Sequence, residues 1–217
     1  MDDHAGMTPS IAPYQMPSPP RDGPAPWRAD PRRCVLLIHD MQHYFVDRYA
    51  LDLSPGKDLI ANITALRSAC AAVGVPVVYT AQPGRMTRAE RGLLHDVWGP
   101  GMTDGPESRG IVPVVAPGPT DAVVTKYRYS AFHRTPLAAM LAERARDQLI
   151  VCGVFARLGC LLTACDAYAH DIEPFLVADA MADFTLEDHA MALDFASRSC
   201  AATPTTTTVL TWLNGPG

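Results

Sequence analysis

The run Cys34-Val35-Leu36-Leu37-Ile38-His39 limits the fold more than any other stretch of the chain. Its apolar residues are consecutive rather than alternating. A strand made from it therefore buries both faces, as a central strand of a parallel sheet does when layers cover each side. Between Asp58 and Val73, apolar residues recur at Leu59, Ile60, Ile63, Leu66 and Cys70, which is helical spacing, and Gly74 supplies a left-handed cap. Further strands are predicted at Val75–Thr80, Val123–Lys126, Gln148–Gly153 and Phe175–Ala178, with a last one near Thr205–Thr208. Helices are predicted after Thr135-Pro136, over Cys160–His170, and from the capping sequence Thr185-Leu186-Glu187-Asp188 to about Ser199. Strands alternating with helices imply right-handed crossovers, hence an α/β fold with three layers, α/β/α, around a mainly parallel, roughly six-stranded sheet.

The chain has 217 residues, 48% of them hydrophobic, enough to bury one substantial core, placed at residues 32–217. Residues 1–31 hold eight of the 20 prolines, which disfavours a regular helix or central strand there. This segment is read as a Pro-rich N-terminal arm, either a leader without fixed structure or an extended segment lying on the domain or on a partner subunit, with Trp27 as an anchor. A net charge of -5 offers no broad cationic surface to a phosphate backbone, so a small molecule is the expected partner and nucleic acid is not. The six cysteines form no Cys-x-x-Cys pair and are read as free thiols in a reducing compartment. The start Met1-Asp2-Asp3-His4 lacks a signal-peptide pattern, and no apolar run approaches the roughly 18 residues of a membrane span. A cytoplasmic protein without a membrane partner is expected. His39, His43, His133, His170 and His189 do not fall at zinc-site spacing, so no metal is expected, and His39 is read as a buried, hydrogen-bonded residue.

In sheets of this kind ligands bind beyond the carboxyl ends of the strands. Four predicted strand ends carry candidates: His39-Asp40, Ala81-Gln82, Thr125-Lys126 and Gly153-Val154-Phe155. Taken alone, Asp40 reads more readily as a helix cap than as an acid, and Lys126 as easily as a rim cation as a partner for it. Phe45 follows Asp40 closely and puts an aromatic ring beside it. Gly-x-Gly-x-x-Gly and Walker A patterns are absent, which leaves nucleotide binding without support. The stretch Pro83–Gly118, with Arg85, Arg88, Arg91 and Trp98, exceeds a normal connector and reads as a lid or pocket wall.

The runs Leu37-Ile38-His39-Asp40-Met41-Gln42, Tyr79-Thr80-Ala81-Gln82-Pro83, Trp98-Gly99-Pro100-Gly101-Met102, Lys126-Tyr127-Arg128-Tyr129-Ser130-Ala131-Phe132 and Phe175-Leu176-Val177-Ala178-Asp179-Ala180 resemble the isochorismatase family in order and spacing, over roughly residues 25–212. Arg91-Gly92-Leu93-Leu94 looks most like phenazine-pathway hydrolases of 2-amino-2-deoxyisochorismate. Phe132-His133-Arg134 is closer to siderophore isochorismatases. The resemblance implies an isochorismatase-like sheet of Rossmann-like topology, no cofactor, and a homodimer or higher homo-oligomer. The chain stops near the hydrolase boundary, so no fused aryl carrier domain is expected.

Cysteine hydrolases of the wider superfamily use an Asp-Lys-Cys triad, and counting back from Thr163-Ala164-Cys165-Asp166-Ala167 puts the nucleophile's position on Gly159, with Cys160 beside it. The resemblance therefore implies vinyl-ether hydrolysis: a protonated Asp40 delivers its proton to the enolpyruvyl methylene, water attacks the resulting oxocarbenium ion, and pyruvate leaves. Lys126 positions acid and substrate, and Gly159 is expected to leave room for the enolpyruvyl group and water. Lys126 should lower the Asp40 pKa, and the two carboxylates of the substrate should raise it again. Gln82, Arg91, Trp98, Phe45 and Phe155 are the implied substrate contacts, Arg91 through a bidentate carboxylate contact. Arg128 is read as structural. Phe155-Ala156-Arg157 departs from the family's usual Tyr-Ala-His, and Arg157 is a further candidate that either holds a substrate carboxylate or points outward. The alternatives are a thiol amidohydrolase using Cys160 and a silent binding subunit with the same fold.

Overall fold

The computed structural model describes residues 10–20 and 25–215. Strand β1 (Cys34–His39) leads through the short α1 (His43–Val46) and α2 (Gly56–Ala72) to β2 (Val77–Ala81). Three short helices follow, α3 (Arg88–Arg91), α4 (Leu94–Trp98) and α5 (Pro106–Arg109), and then β3 (Ala122–Thr125) and α6 (Leu137–Glu143). The chain closes with β4 (Gln148–Val154), α7 (Leu161–Ala169), β5 (Glu173–Ala182), α8 (Leu186–Ser199) and α9 (Thr206–Asn214). The strands form one sheet in the order β3-β2-β1-β4-β5, and every pairing is parallel.

All six residues of β1 and all seven of β4 are buried, as their unbroken apolar runs require of central strands. Because side chains alternate across a strand, β1 feeds two cores. Cys34, Leu36 and Ile38 join Leu59, Ile63 and Leu66 of α2 and Val209 and Leu213 of α9. Val35 and Leu37 point the other way, to Leu137 and Leu141 of α6, Ala164 and Ala167 of α7, and Leu193 and Ala196 of α8. The three expected layers are thus present. A one-residue register slip of β1 would exchange these sets, each buried Leu or Ile being worth about 1.5–3 kcal/mol.

One expected strand is a helix. Thr205 has an extended backbone and its hydroxyl accepts from Thr208 N–H, so it caps α9 and does not open a strand. Val209 and Leu213, four residues apart, then fall on one buried face. Thr205–Thr208 reads as β-rich, yet threonine is also an N-cap residue, and the apolar spacing behind it decides the outcome. The sixth strand survives only as an extended stretch beside β5, where Leu176 N–H donates to Ala202 O and Ala178 N–H to Pro204 O. Gly74, at φ +73°, ends α2 as its left-handed conformation requires.

The described part of the arm lies on the domain. Ile11 is buried, its N–H donates to Arg48 O, and Tyr14 N–H donates to Ser54 O. Trp27 packs 6.5 Å from the Tyr168 ring. Residues 1–9 and 21–24 of the expected arm lie outside the described residues. Among the described residues, no helix is long and apolar enough to cross a membrane.

Candidate active site

Parallel pairing brings the carboxyl ends of neighbouring strands to one edge, and with them Asp40 after β1, Gln82 after β2, Lys126 after β3 and Phe155 after β4. Asp40 takes a left-handed backbone, φ +49°, at a cost on the order of 1 kcal/mol. Thr80 holds it there. The Thr80 hydroxyl accepts from Asp40 N–H at 3.1 Å and donates to Asp40 Oδ1 at 2.6 Å. The other carboxylate oxygen, Oδ2, lies 2.7 Å from Lys126 Nζ and accepts from Gln82 Nε2 at 3.2 Å.

Asp40 and Lys126 are 4% and 1% exposed. Burial acts most strongly on the Asp40 carboxyl and would raise it, but the Lys126 ammonium, then His39 and the hydrogen bonds from Lys126 and Thr80, together hold the group below the ordinary carboxylate range. The carboxyl is therefore ionised near neutral pH. Lys126 also donates to Arg128 O at 3.0 Å, which fixes its head group. The Gln82 backbone is clamped by Gln42, whose amide accepts from Gln82 N–H and donates to Gln82 O and to Arg109 O.

A cavity of about 330 Å³ opens over this floor, and Tyr44, Phe45, Arg91, Trp98, Phe155 and Phe184 form much of its wall. The Pro83–Gly118 segment supplies one side, as its length suggested. Arg91 is 5% exposed, and its Nε donates to Gly99 O at 2.5 Å. Burial lowers its pKa, and no carboxylate of the described residues forms an ion pair with it. A buried guanidinium facing a cavity without a counter-ion is prepared for an anionic ligand. The aromatic rings interlock: Phe155 stacks on Phe184 at 4.2 Å, Trp98 stacks on Phe184 at 5.8 Å, and Phe45 meets Phe155 edge-on at 5.8 Å. Trp98 Nε1 donates to the Tyr129 hydroxyl at 2.6 Å, satisfying the indole.

Eight of the nine residues singled out from sequence thus line one cavity, the exception being Arg157. Its guanidinium turns to Asp188 of α8, with Nε 3.2 Å from Oδ1, and its backbone N–H donates to Asp183 at 2.5 Å. Of the two orientations open to Arg157 in the sequence, the structure has the one turned from the cavity, where the acid on α8 neutralises the cation. Gly159 also departs from expectation. It borders the cavity, but a Cβ built on it would collide with the His39 imidazole. The room left by the missing side chain is therefore occupied by His39, at least beside the Cα. His39 is fully buried, pushed down to about 4 by burial, and neutral. Its Nδ1 lies 2.8 Å from Val154 O, so Nδ1 carries the proton.

Sequence reasoning passed over Thr80, Phe184, Tyr129 and Leu158. Thr80 lay inside a predicted strand, two residues before Gln82, and its period-2 position on the Gln82 side was the available signal. Phe184 follows a strand that was expected to end at Ala178. Cys160 is fully buried and does not border the cavity, and burial, then the neighbouring Cys152 and Asp40, raise its thiol well above the usual range. Among the described residues, no group of three or more His, Cys, Asp or Glu side chains is placed to hold a metal ion.

A family model described as the isochorismatase domain matches residues 34–209. The isochorismatase of Bacillus subtilis (strain 168) is 50% identical over 211 residues, covering 96% of this chain and 68% of that protein. Phenazine biosynthesis protein PhzD1 of Pseudomonas aeruginosa is 50% identical over 186 residues, 86% of this chain and 89% of that protein. Among solved structures, a cysteine hydrolase from Pseudomonas syringae pv. phaseolicola 1448A superposes with a TM-score of 0.78 over 86% of this chain and 95% of that one. At 23% identity this last likeness bears on the fold alone.

Proposed function

The chain belongs to the isochorismatase family, and from that membership we propose that it hydrolyses the enolpyruvyl (vinyl) ether of isochorismate or of 2-amino-2-deoxyisochorismate, releasing pyruvate and a cyclohexadiene product for secondary-metabolite biosynthesis. What carries the reading is the buried Asp40–Lys126 pair on the cavity floor, beside a glycine at the position where a thiol hydrolase would place its nucleophile. An acid without a nucleophile suits a substrate that needs a proton and not an acyl-enzyme.

Arg91 receives one carboxylate of the substrate and Lys126 the other, while the rings of Phe45, Phe155 and Trp98 cover the apolar face of the cyclohexadiene and Gln82 orients its polar edge. Two anions brought into a desolvated site oppose the effect of Lys126 and raise the Asp40 pKa, so that Asp40 enters the reaction protonated. Its proton passes to the terminal methylene carbon, converting the vinyl ether to an oxocarbenium ion. Water adds to the adjacent enolpyruvyl carbon, the one bonded to the ether oxygen, and gives up a proton to the Asp40 carboxylate. The hemiketal then breaks its bond to the ring oxygen, giving pyruvate and the ring alcohol.

Supplied with each compound, the purified chain is expected to release pyruvate from at least one, and release from neither would overturn the assignment. The buried Cys160 takes no part. Cys160→Ser is expected to keep kcat and KM within about twofold, since a buried thiol-to-hydroxyl exchange perturbs packing more than chemistry, and a large loss in kcat alone would restore the thiol reading.

The same reading divides the chain into an arm of residues 1–31 and a hydrolase domain of residues 32–217, supported by the match to residues 34–209. Cysteines that are all free suit a reducing, cytoplasmic setting. Assembly as a homodimer or larger homo-oligomer is supported by apolar side chains left exposed on adjacent helices, Tyr168 on α7 and Met191 and Phe195 on α8.

A further inference from the structure

Phe184 is the centre of the aromatic wall, touching both Phe155 and Trp98, yet it lies on no regular element. It follows Asp183 in the short turn between β5 and α8, and that turn is tied down from outside the domain. The Tyr14 hydroxyl, on the N-terminal arm, accepts from Asp183 N–H at 2.8 Å and lies 3.2 Å from Asp183 O, to which it donates. His189 Nδ1 stands 3.4 Å from the same hydroxyl, and the Tyr49 hydroxyl reaches Asp183 O at 3.2 Å. The Asp183 carboxylate accepts from Phe184 N–H at 2.8 Å and from Arg157 N–H. Asp183 is fully buried, so each of these groups lacks water as a substitute partner.

We infer that Tyr14 is a positioning residue for the active site: its hydroxyl pairs both backbone groups of Asp183 and so fixes the Phe184 ring against Phe155 and Trp98. The arm thereby belongs to the site's supporting structure, although Tyr14 lies outside the matched residues 34–209. The arm is anchored independently of this contact, through Ile11 and the Tyr14 backbone, so removing the hydroxyl leaves the arm in place. In Tyr14→Phe the Asp183 N–H loses its partner, and the turn can recover one only by moving toward water and taking Phe184 with it. The consequence for catalysis rests on the function proposed above. The consequence for ring position does not.

The test compares the full chain with Tyr14→Phe and with Ile11→Ala, which loosens the arm without touching the turn. Tyr14→Phe is expected to raise KM for the substrate by about fivefold or more while kcat changes by less than about threefold, in keeping with loss of a hydrogen bond that only places a wall. Ile11→Ala is expected to lower Tm with KM unchanged. Without substrate, Tyr14→Phe is expected to shift the tryptophan emission, and that shift should vanish when Trp98 is also replaced by phenylalanine. Should no pyruvate appear even with the unaltered chain, the proposed function fails, and the emission shift still decides the role of Tyr14. Absence of a Trp98-dependent shift, or equal KM changes in the two variants, would overturn the inference.

Discussion

Asp40→Asn is expected to lower kcat for pyruvate release by about 10²–10⁴, the range that loss of a positioned general acid produces, while KM moves only a few-fold. On the rate scale this is about 3–5 kcal/mol of barrier. The asparagine amide keeps the shape and can still accept from Thr80 through Oδ1, but it offers no proton of useful acidity to the methylene carbon. Its Nδ2 would face Lys126 Nζ and Gln82 Nε2, both donors, where Oδ2 accepted from each. Stability should fall as well, so kinetics belong well below the variant's Tm. Ligand affinity is expected to persist because Arg91 and the aromatic wall are untouched. A loss smaller than tenfold would remove Asp40 from the chemistry.

Lys126→Met separates positioning from proton transfer. Methionine fills the space of the buried lysine stem without its charge, and Asp40 is left as a carboxyl in a dry site. Breaking a buried pair in this way costs about 3–5 kcal/mol of stability when the surviving charge is not neutralised. In the native chain Asp40 is held below the unfolded value, so its contribution is present above that value and is lost as pH falls through the folded pKa. In the variant the largest influence, burial, is opposed only by His39 and by the hydrogen bonds from Thr80 and Gln82, and the folded pKa is expected above the unfolded one. The sign then reverses: stability is greatest below the unfolded pKa and declines as pH rises toward the folded one. The Tm deficit of Lys126→Met relative to the native chain should therefore shrink between pH 8 and pH 5. KM is expected to rise tenfold or more through loss of a charged hydrogen bond worth about 1.5–3 kcal/mol. A pH-independent deficit would mean that the pair does not control Asp40.

The parts of this site that were legible in the sequence share one cause. Strands buried on both faces are readable as unbroken apolar runs, and the residue after each run must emerge at the sheet's carboxyl edge. Asp40, Gln82, Lys126 and Phe155 follow from that rule, and their meeting follows from parallel pairing. What was not legible depends on contacts between distant segments. Arg157 appeared free to meet a substrate because nothing local announces Asp188, thirty-one residues on and brought close by α8. Gly159 read as an opening because the imidazole that occupies it comes from β1. Thr205–Thr208 was misassigned for a local reason, since threonine serves both as a strand former and as a helix cap. The arm's role could not be seen at all, because Tyr14 is polar, isolated and 169 residues from the turn it holds.

The most direct test of the central claim is the fate of solvent oxygen when turnover is run in water enriched in oxygen-18. If Asp40 protonates the methylene and water adds to the adjacent enolpyruvyl carbon, the ring keeps its own oxygen, and the cyclohexadiene product should carry no label in the hydroxyl released from the ether. Label in that ring hydroxyl would mean that water displaces at the ring carbon, and the assignment of Asp40 as the acid of a vinyl-ether hydrolysis would be wrong.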